Sequence, residues 1–228
     1  MDRNITQKTR VLFLAWGYSI HAKRRIQLFI DDQDFAVAVV SNHNYNFDNA
    51  VNVLLTGATG HSPSQEKDEI GYHPIGGGAK NFYKKEHKAL TGLLPLKVCH
   101  DIYVGLKDYK ILNKSVKEFK PDIVFLQTLL YPCYLAYFLP RSLPIVITFW
   151  NGDVIWWAKW NGIERMLKKQ IVTYGVRRAQ AMTVNSQTAF NACLGYGAQT
   201  ENIHLIRYPG VDMERFRPFA KDEARKKL

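Results

Sequence analysis

The chain has 228 residues, of which 46% are hydrophobic and 22% are charged, as is ordinary for a globular protein of one large or two small domains. Its three cysteines, Cys99, Cys133 and Cys193, stand far apart and form no Cys-x-x-Cys pair, which argues against a disulfide framework or a zinc site. The formal net charge of +11 favours an anionic partner: a nucleic acid, an anionic lipid surface or a phosphate-bearing substrate.

No segment of the sequence predicts a membrane-spanning helix or a signal peptide. The most apolar window, residues 123–139, is shorter than the ~20 residues that a spanning helix needs, and Gln127, Thr128 and Pro132 interrupt it. The polar N-terminus and the short apolar run at residues 11–16 do not fit a signal peptide. Together with the free thiols, this favours a cytoplasmic protein.

The first quarter of the sequence predicts a β-α-β unit. Residues 11–16 and 35–41 are continuous apolar runs, as in buried strands of a parallel sheet. Between them, residues 20–30 have apolar side chains near helical spacing, and Ser19 stands where an N-cap is expected. A third strand is predicted at residues 51–55.

Residues 57–90, within a wider loop or insert region at 57–100, predict a long mobile loop because glycine, serine, histidine and lysine dominate and periodicity is absent. The run Thr-Gly-Ala-Thr-Gly at residues 56–60 is similar to a dinucleotide-binding loop, but Pro63 stands where the third glycine of that fingerprint should be. A loop is the better interpretation.

An amphipathic helix is predicted at residues 102–119. Its buried face is predicted to carry Ile102, Leu106, Tyr109, Val116 and Phe119. Four lysines line another face, which either lies on an anionic membrane surface or is simply solvated: Lys107, Lys110, Lys114 and Lys117.

Strands and helices continue to alternate to the end of the sequence. Strands are predicted at residues 123–126, 145–149, 181–184 and 204–207, and helices at 130–139, 163–178 and 187–194. This alternation predicts an α/β fold with a doubly wound parallel sheet, Rossmann-like in type. Because ligands of such sheets bind at the carboxyl ends of the strands, the loops after strands 11–16, 123–126, 145–149 and 181–184 are the candidate site.

Polar and basic residues follow three of these strands. After the first strand, Gly17, Ser19, His21, Lys23 and Arg24 lead into a helix whose N-terminus could bind phosphate. The loop after residue 149 contains Asn151, Gly152 and Asp153, whose carboxylate could accept hydrogen bonds from sugar hydroxyls or could cap a helix. Ser186 follows the next strand and is predicted to be an N-cap.

Five segments, in order, resemble the N-terminal domain of the retaining glycosyltransferases of family 4, which have the two-domain GT-B fold. Residues 19–24 (Ser-Ile-His-Ala-Lys-Arg) look like a signature of one branch, which usually continues with Trp where this chain has Arg25. The other four segments are Lys-Pro-Asp-Ile-Val at 120–124, Trp-Asn-Gly-Asp-Val at 150–154, the run Arg-Ala-Gln-Ala-Met-Thr-Val-Asn-Ser at 178–186, and residues 203–218.

The resemblance implies that residues 1–218 form an acceptor-binding domain and that residues 219–228 begin a linker to a donor-binding domain. It implies transfer of a sugar from a nucleotide-sugar donor to a carbohydrate or glycolipid acceptor, with retention of configuration and without metal or cofactor. The loop around Gly17 to His21 would face the donor diphosphate. The main donor-site residues would belong to the second domain, so we expect these 228 residues to be inactive alone.

Other functions remain as alternatives. A free-standing binding module for an anionic glycolipid or a phosphorylated carbohydrate is the second hypothesis, and it would place the cytoplasmic protein peripherally at the inner face of the membrane. Nucleic-acid binding has only the net charge in its favour, because no RNA- or DNA-binding signature is present. A dinucleotide-dependent oxidoreductase lacks an intact glycine fingerprint.

Overall fold

A computed structural model describes residues 8–15, 19–56, 94–129, 132–149, 154 and 162–206. Several sequence predictions lie outside these residues: the loop at 57–90, the turn at 150–153 and the segment 207–228. Within the described ranges no helix is both long enough and apolar enough to cross a membrane.

The described strands form one parallel sheet of seven strands, in the order β3-β2-β1-β4-β5-β6-β7. Their bounds in chain order are β1 Thr9–Ala15, β2 Phe35–Ser41, β3 Val51–Leu54, β4 Ile123–Leu126, β5 Ile145–Thr148, β6 Ala181–Val184 and β7 Ile203–Leu205. Every neighbouring pair is parallel, which confirms the predicted doubly wound α/β class. The strand order reverses direction between β1 and β4, and this switch point is where such sheets bind ligands.

Helices cover both faces of the sheet. Helix α1, Ile20–Asp31, packs on one face through Ile26 and Phe29 against Phe13 and Phe125. The other face is covered by α2 (Leu94–Phe119), a 3₁₀ helix (Cys133–Phe138), α3 (Gly162–Arg178) and α4 (Gln187–Gly195). Alternate residues of each strand serve the two faces, so the central strands are buried on both sides as their continuous apolar sequence predicted.

Helix α2 is longer than predicted, and one residue of its predicted buried face is exposed. It begins at Leu94, eight residues before the predicted start at 102. Leu106 was assigned to the buried face, but its side chain is 59% exposed, whereas Leu112 and Asp108 are fully buried. The predicted residues Tyr109, Val116 and Phe119 are partly buried and pack against the core. The buried face is therefore close to the predicted one, but Leu112 is its most buried apolar residue and Leu106 lies outside it.

The segment predicted as a helix at 130–139 is a six-residue 3₁₀ helix, Cys133–Phe138. Pro132 stands at its start and Pro140 lies just beyond its end, so the chain between the two prolines has room for only about two turns of helix. Its residues nevertheless enter the core, and Cys133, Ala136 and Tyr137 are buried.

One glycine lets α3 approach this 3₁₀ helix closely. A Cβ on Gly175 would overlap the hydroxyl of Tyr137 and would lie 2.7 Å from its Cζ and 2.9 Å from Cδ2 of Leu129. Because Tyr137 and Leu129 are themselves buried, neither can move aside freely. Gly175 therefore sets the distance between the two helices.

Candidate functional site

The carboxyl ends of β1, β4, β5 and β6 meet along one edge of the sheet, which includes the switch point between β1 and β4. Ser19 lies close after β1, Gln127 directly follows β4, Thr148 ends β5, and Ser186 lies two residues after β6. This edge is the candidate site, as the strand pattern predicted.

Ser19 caps the helix that starts at the switch point. Its Oγ accepts a hydrogen bond from the backbone N–H of Ala22 at 3.3 Å, which confirms the predicted N-cap. Its own backbone N–H donates to the hydroxyl of Tyr45 at 3.1 Å. Tyr45 belongs to the loop after β2, so the N-terminus of α1 is held by a neighbouring loop as well as by its own cap.

The basic residues of the first turns of α1 are exposed or half-buried. His21 and Arg24 are exposed, and Lys23 is half-buried. Their charges add to the positive end of the helix dipole at the edge of the sheet. Gly17, the remaining predicted residue of this loop, lies outside the described residues.

Arg25 departs from this basic surface and points toward the sheet. Its Nη1 donates to the hydroxyl of Thr148 at 2.5 Å and to Oε1 of Gln127 at 3.4 Å. The guanidinium carbon also lies 6.0 Å from the ring centroid of Phe125. Arg25 thus joins α1 to the ends of β4 and β5.

The Arg25 contacts continue across the sheet through two threonines. The hydroxyls of Thr148 and Thr183, which are paired in the β5–β6 register, lie 2.9 Å apart. Gln127 and Thr148 are almost completely buried. A polar chain therefore crosses three strands below the candidate site, and it fixes α1 relative to the strand ends.

Ser186 is also an N-cap, as predicted. Its Oγ accepts from the backbone N–H of Ala189 at 3.2 Å at the start of α4. Two helices, α1 and α4, therefore begin at the same edge of the sheet, each with a capping serine. The predicted residues Asn151, Gly152 and Asp153 of the loop between them lie outside the described residues.

The Lys-Pro-Asp segment at residues 120–122 has a structural role. Lys120 adopts a left-handed conformation (φ 49°), and its N–H donates to Val116 O at the end of α2. The Asp122 carboxylate accepts from the backbone N–H of Arg10 at 2.8 Å, and the Asp122 N–H donates to Arg10 O at 2.8 Å. This segment therefore ends α2 and aligns β4 with β1.

The Arg-Ala-Gln segment at residues 178–180 also supports the fold. Nη2 of Arg178 donates to the carbonyl oxygens of Pro140 and Leu143, both at 2.9 Å. Oε1 of Gln180 accepts from the backbone N–H of Ile145 at 2.6 Å. Arg178 is 7% exposed, and this burial lowers its pKa, although three neutral acceptors keep it hydrogen-bonded.

Several interior polar residues were not predicted as important. The sequence predicted no contact for Arg25, which was noted only at the end of the family signature, and none for Gln127, Thr148 or Thr183. Asp108 was missed as well: it is fully buried, and its carboxylate accepts from the hydroxyl of Thr56 and, at 2.7 Å, from its backbone N–H. Its position in the sequence could have indicated burial, because Asp108 lies four residues before the core residue Leu112 and so shares its face of α2.

No group of three or more His, Cys, Asp or Glu residues arranged to hold a metal ion occurs in the part of the chain that the structure describes. The prediction that no metal or cofactor is needed stays a prediction.

Solved structures that share this fold include the following three. Sucrose-phosphate synthase from Thermosynechococcus elongatus is similar with a TM-score of 0.57 at 10% identity, over 97% of this chain and 53% of that chain. A Listeria monocytogenes structure assigned as a UDP-N-acetylglucosamine 2-epimerase gives 0.52 at 10% identity, over 87% and 45%. HepE from Anabaena in complex with UDP-glucose gives 0.51 at 12% identity, over 96% and 49%.

At these identities the similarity shows the fold alone, because one fold hosts many chemistries. The chain spans about half the length of these three structures. No curated protein matches the sequence significantly. The model of the family described as Glycosyltransferase Family 4 matches residues 53–215, which is more than half of the chain. The protein therefore belongs to glycosyltransferase family 4.

Proposed function

We propose that this chain is the acceptor-binding domain of a retaining glycosyltransferase that takes its sugar from a nucleotide-sugar donor. The match to the family over residues 53–215 carries the proposal. The described structure supports it by bringing Ser19, Gln127, Thr148 and Ser186 to the edge of the sheet where α/β proteins bind ligands.

On the donor side, the N-terminus of α1 would face the diphosphate. Backbone N–H groups at a helix N-terminus bind phosphate, and Lys23 and Arg24 add positive charge on the following turn. Gly17 and His21 belong to the same segment. The structure of HepE in complex with UDP-glucose supports a nucleotide-sugar as the ligand class.

On the acceptor side, the loop that contains Asn151, Gly152 and Asp153 would bind sugar hydroxyls next to Ser186. The amide and carboxylate groups of this set are suited to hydrogen bonding with hydroxyls. The acceptor would be a carbohydrate or a glycolipid, bound mainly by this domain.

Transfer of this kind depends on holding donor and acceptor together and on stabilising the departing diphosphate. The N-terminus of α1 would supply one wall for the diphosphate, and the loop at residues 150–153 would supply one for the acceptor. The proposal therefore assigns binding to these 228 residues and requires a donor-binding domain for turnover. The proposed reaction needs no metal ion, because fixed positive groups of the protein would stabilise the leaving diphosphate.

The donor side can be tested by titrating UDP-glucose into the 228-residue chain and recording backbone amide NMR spectra. We expect weak binding, with shifts concentrated at the first turn of α1. The double variant Lys23→Ala/Arg24→Ala should weaken it several-fold, because two positive charges near the phosphates are lost. The variant Arg165→Ala/Lys169→Ala on exposed positions of α3 removes the same charge and should bind as the unchanged protein does.

Shifts that are equally weak in both variants would contradict a phosphate site at α1. In the same samples, product formation from UDP-glucose with a glycan acceptor mixture should stay at background. Turnover comparable to that of a full-length family member would contradict the assignment of binding without chemistry.

A second candidate function is attachment to an anionic glycolipid surface through α2. Lys107, Lys110, Lys114 and Lys117 are all exposed on the side opposite the buried face. Tyr103 and Leu106 are 56% and 59% exposed at the N-terminal end of the same surface, and Lys107 Nζ lies 4.4 Å from the Tyr103 ring centroid. Lysines beside exposed apolar side chains are typical of helices that lie on a membrane surface.

Co-sedimentation with vesicles that contain anionic lipid tests this candidate. The variant Lys110→Glu/Lys114→Glu should lose binding, since each basic residue near an anionic surface contributes about 1 kcal/mol. Arg165→Glu/Lys169→Glu on α3 is the matched control, with the same charge change at the same i, i+4 spacing. Equal loss in both variants would show a response to net charge and would leave α2 as a solvated face.

A further inference from the structure

A polar cavity of about 120 Å³ lies beside β2 and β3, outside the edge site described above. Its polar lining comes from six residues: Ser41, His43, Asn44, Tyr45, Asn46 and Asn52. Valine and leucine side chains of β2 and β3 complete the wall. None of the described residues that line the cavity is a lysine, arginine, aspartate or glutamate, in contrast to the basic first turns of α1.

The loop that forms the cavity, residues 42–50, is fixed by its own hydrogen bonds. Oδ1 of Asn52 accepts from Phe47 N–H at 3.1 Å, and its Nδ2 donates to Phe47 O at 2.8 Å. Oγ of Ser41 accepts from His43 N–H at 3.0 Å. A ligand would therefore meet a wall that is already ordered, which lowers the entropic cost of binding.

Aromatic rings stiffen the same loop. The rings of His43 and Tyr45 lie edge to face with centroids 5.1 Å apart, and Tyr45 stacks on Phe47 at 5.3 Å. Because the Tyr45 hydroxyl also accepts from the Ser19 N–H, the cavity wall is joined directly to the N-terminus of α1. A ligand in the cavity would thus lie beside the loop that is proposed to face the donor.

Two amides at the rim are available for binding. Asn44 and Asn46 are exposed, and neither side chain makes a hydrogen bond with any other described residue. Asn46 holds a left-handed backbone (φ 47°), a conformation that asparagine tolerates better than most residues do. Each amide offers one acceptor and two donors, a combination that matches the donor and acceptor character of a hydroxyl pair.

We propose that this cavity is a subsite for an uncharged sugar residue of the acceptor, bound through its hydroxyl groups by Asn44 and Asn46. The inference rests on the proposed function, because it assigns the ligand to the acceptor. A neutral ligand is favoured because the described lining residues supply amides, an imidazole and a phenol, and no lysine or arginine is among them. The volume equals that of about four water molecules, enough for the hydroxyl edge of one sugar ring.

The experiment is a backbone amide NMR titration of the 228-residue chain with four separate probes: the methyl glycosides of glucose, galactose, mannose and N-acetylglucosamine. Glycerol serves as the control polyol. At least one glycoside should shift the amides of residues 41–46 and 52–54, whereas glycerol at the same concentration should leave them unchanged. Absence of shifts with all four glycosides, or equal shifts with glycerol, would overturn the proposal.

Two substitutions in one loop separate binding from folding. Asn46→Gly removes the rim amide and retains the left-handed backbone, so the fold is preserved, and affinity should fall about three- to tenfold for one lost hydrogen bond. Asn49→Gly is the matched control. Asn49 is also left-handed (φ 60°) but is not among the described residues that line the cavity, so this variant should bind the glycoside with unchanged affinity. Equal affinities in the two variants would overturn the assignment to Asn46.

The result can be told apart from the test of the proposed function. Glycoside shifts at the cavity without any UDP-glucose effect at α1 would retain a sugar site and refute the donor side of the proposal. UDP-glucose shifts at α1 without glycoside shifts would refute the subsite alone.

Discussion

The guanidinium of Arg25 on α1 and the hydroxyl of Thr148 at the end of β5 are joined by a hydrogen bond of 2.5 Å, although 123 positions separate them in the sequence. Thr148 in turn contacts Thr183 on β6. The first helix of the candidate site is therefore held by a side-chain contact to strands far along the chain.

This relationship predicts energetic coupling between the two side chains. Arg25→Leu and Thr148→Val should each lower the free energy of unfolding, by about 1–3 kcal/mol for a hydrogen bond that involves a charged group. The double variant should lose less than the sum, with a coupling energy of about 0.5–3 kcal/mol, because the second change removes a partner that is already lost. Urea unfolding of the four proteins measures it.

Arg24→Leu is the control for this cycle. Arg24 is exposed on the neighbouring position of α1, so its substitution should add independently to Thr148→Val. Additive behaviour of Arg25→Leu with Thr148→Val would show that the contact contributes nothing measurable.

Lys120→Gly should stabilise the protein. A left-handed backbone costs a non-glycine residue about 1–2 kcal/mol, and glycine avoids this cost. Because glycine also makes the unfolded chain more flexible, the net gain in stability should be about 0.5–1 kcal/mol. Lys117→Gly, in the last turn of α2, should instead destabilise by about 1 kcal/mol, since glycine is unfavourable within a helix. A loss of stability in both variants would contradict the role of Lys120 as the left-handed end of α2.

Gly175→Ala should destabilise the protein by about 1–3 kcal/mol, because the added methyl group would overlap Tyr137 and crowd Leu129 in a packed interior. Gly105→Ala on α2 is a matched change, since an added Cβ there meets no atom within 4 Å. It should be neutral or stabilising by up to about 1 kcal/mol. Thermal unfolding of the two variants compares them, and similar transition temperatures would refute the close helix approach.

Stability should fall at high pH because of Cys193. Burial raises the pKa of its thiol from 9.0 to about 12, so the folded state keeps a proton that the unfolded state releases. The neutral thiol therefore contributes to the free energy of unfolding. This contribution is fully present below pH 9 and is lost as the pH rises from 9 toward 12. In this range the free energy of unfolding should fall by on the order of 1 kcal/mol per pH unit.

In urea unfolding experiments between pH 9 and 10.5, Cys193→Ala should remove the part of the pH dependence of stability that comes from the thiol. In the native protein at pH 8, mass spectrometry after iodoacetamide treatment should find Cys193 and the buried Cys133 unmodified, and both should react after unfolding. Rapid native alkylation of Cys193, or an unchanged slope in the alanine variant, would contradict the effect of burial.

Local sequence patterns predicted the strands and the serine-capped helix starts well. Strands 35–41 and 181–184 were placed at their observed bounds, and both N-capping serines, Ser19 and Ser186, were identified. These features depend on neighbouring residues, because a buried strand needs a short apolar run and a cap needs one hydroxyl at a helix start. The family resemblance also followed from short segments in a fixed order, and the match over residues 53–215 confirms it.

The burial of single side chains and the type of one helix were predicted less well. Leu106 was assigned to the buried face of α2 and is exposed, and residues 133–138 form a 3₁₀ helix where a longer helix was expected. Both depend on what the segment packs against and on how much chain is available between fixed ends.

The sequence by itself thus determined the α/β alternation and the parallel sheet, because the periodicity and the apolar content of each segment are local properties of the sequence. Only the tertiary structure decided which polar residues turn inward. Arg25, Asp108 and Arg178 look like surface residues in the sequence, and each has a hydrogen-bond partner 35 to 123 positions away. A buried polar group is tolerated only where such a partner meets it, and no local pattern encodes that meeting.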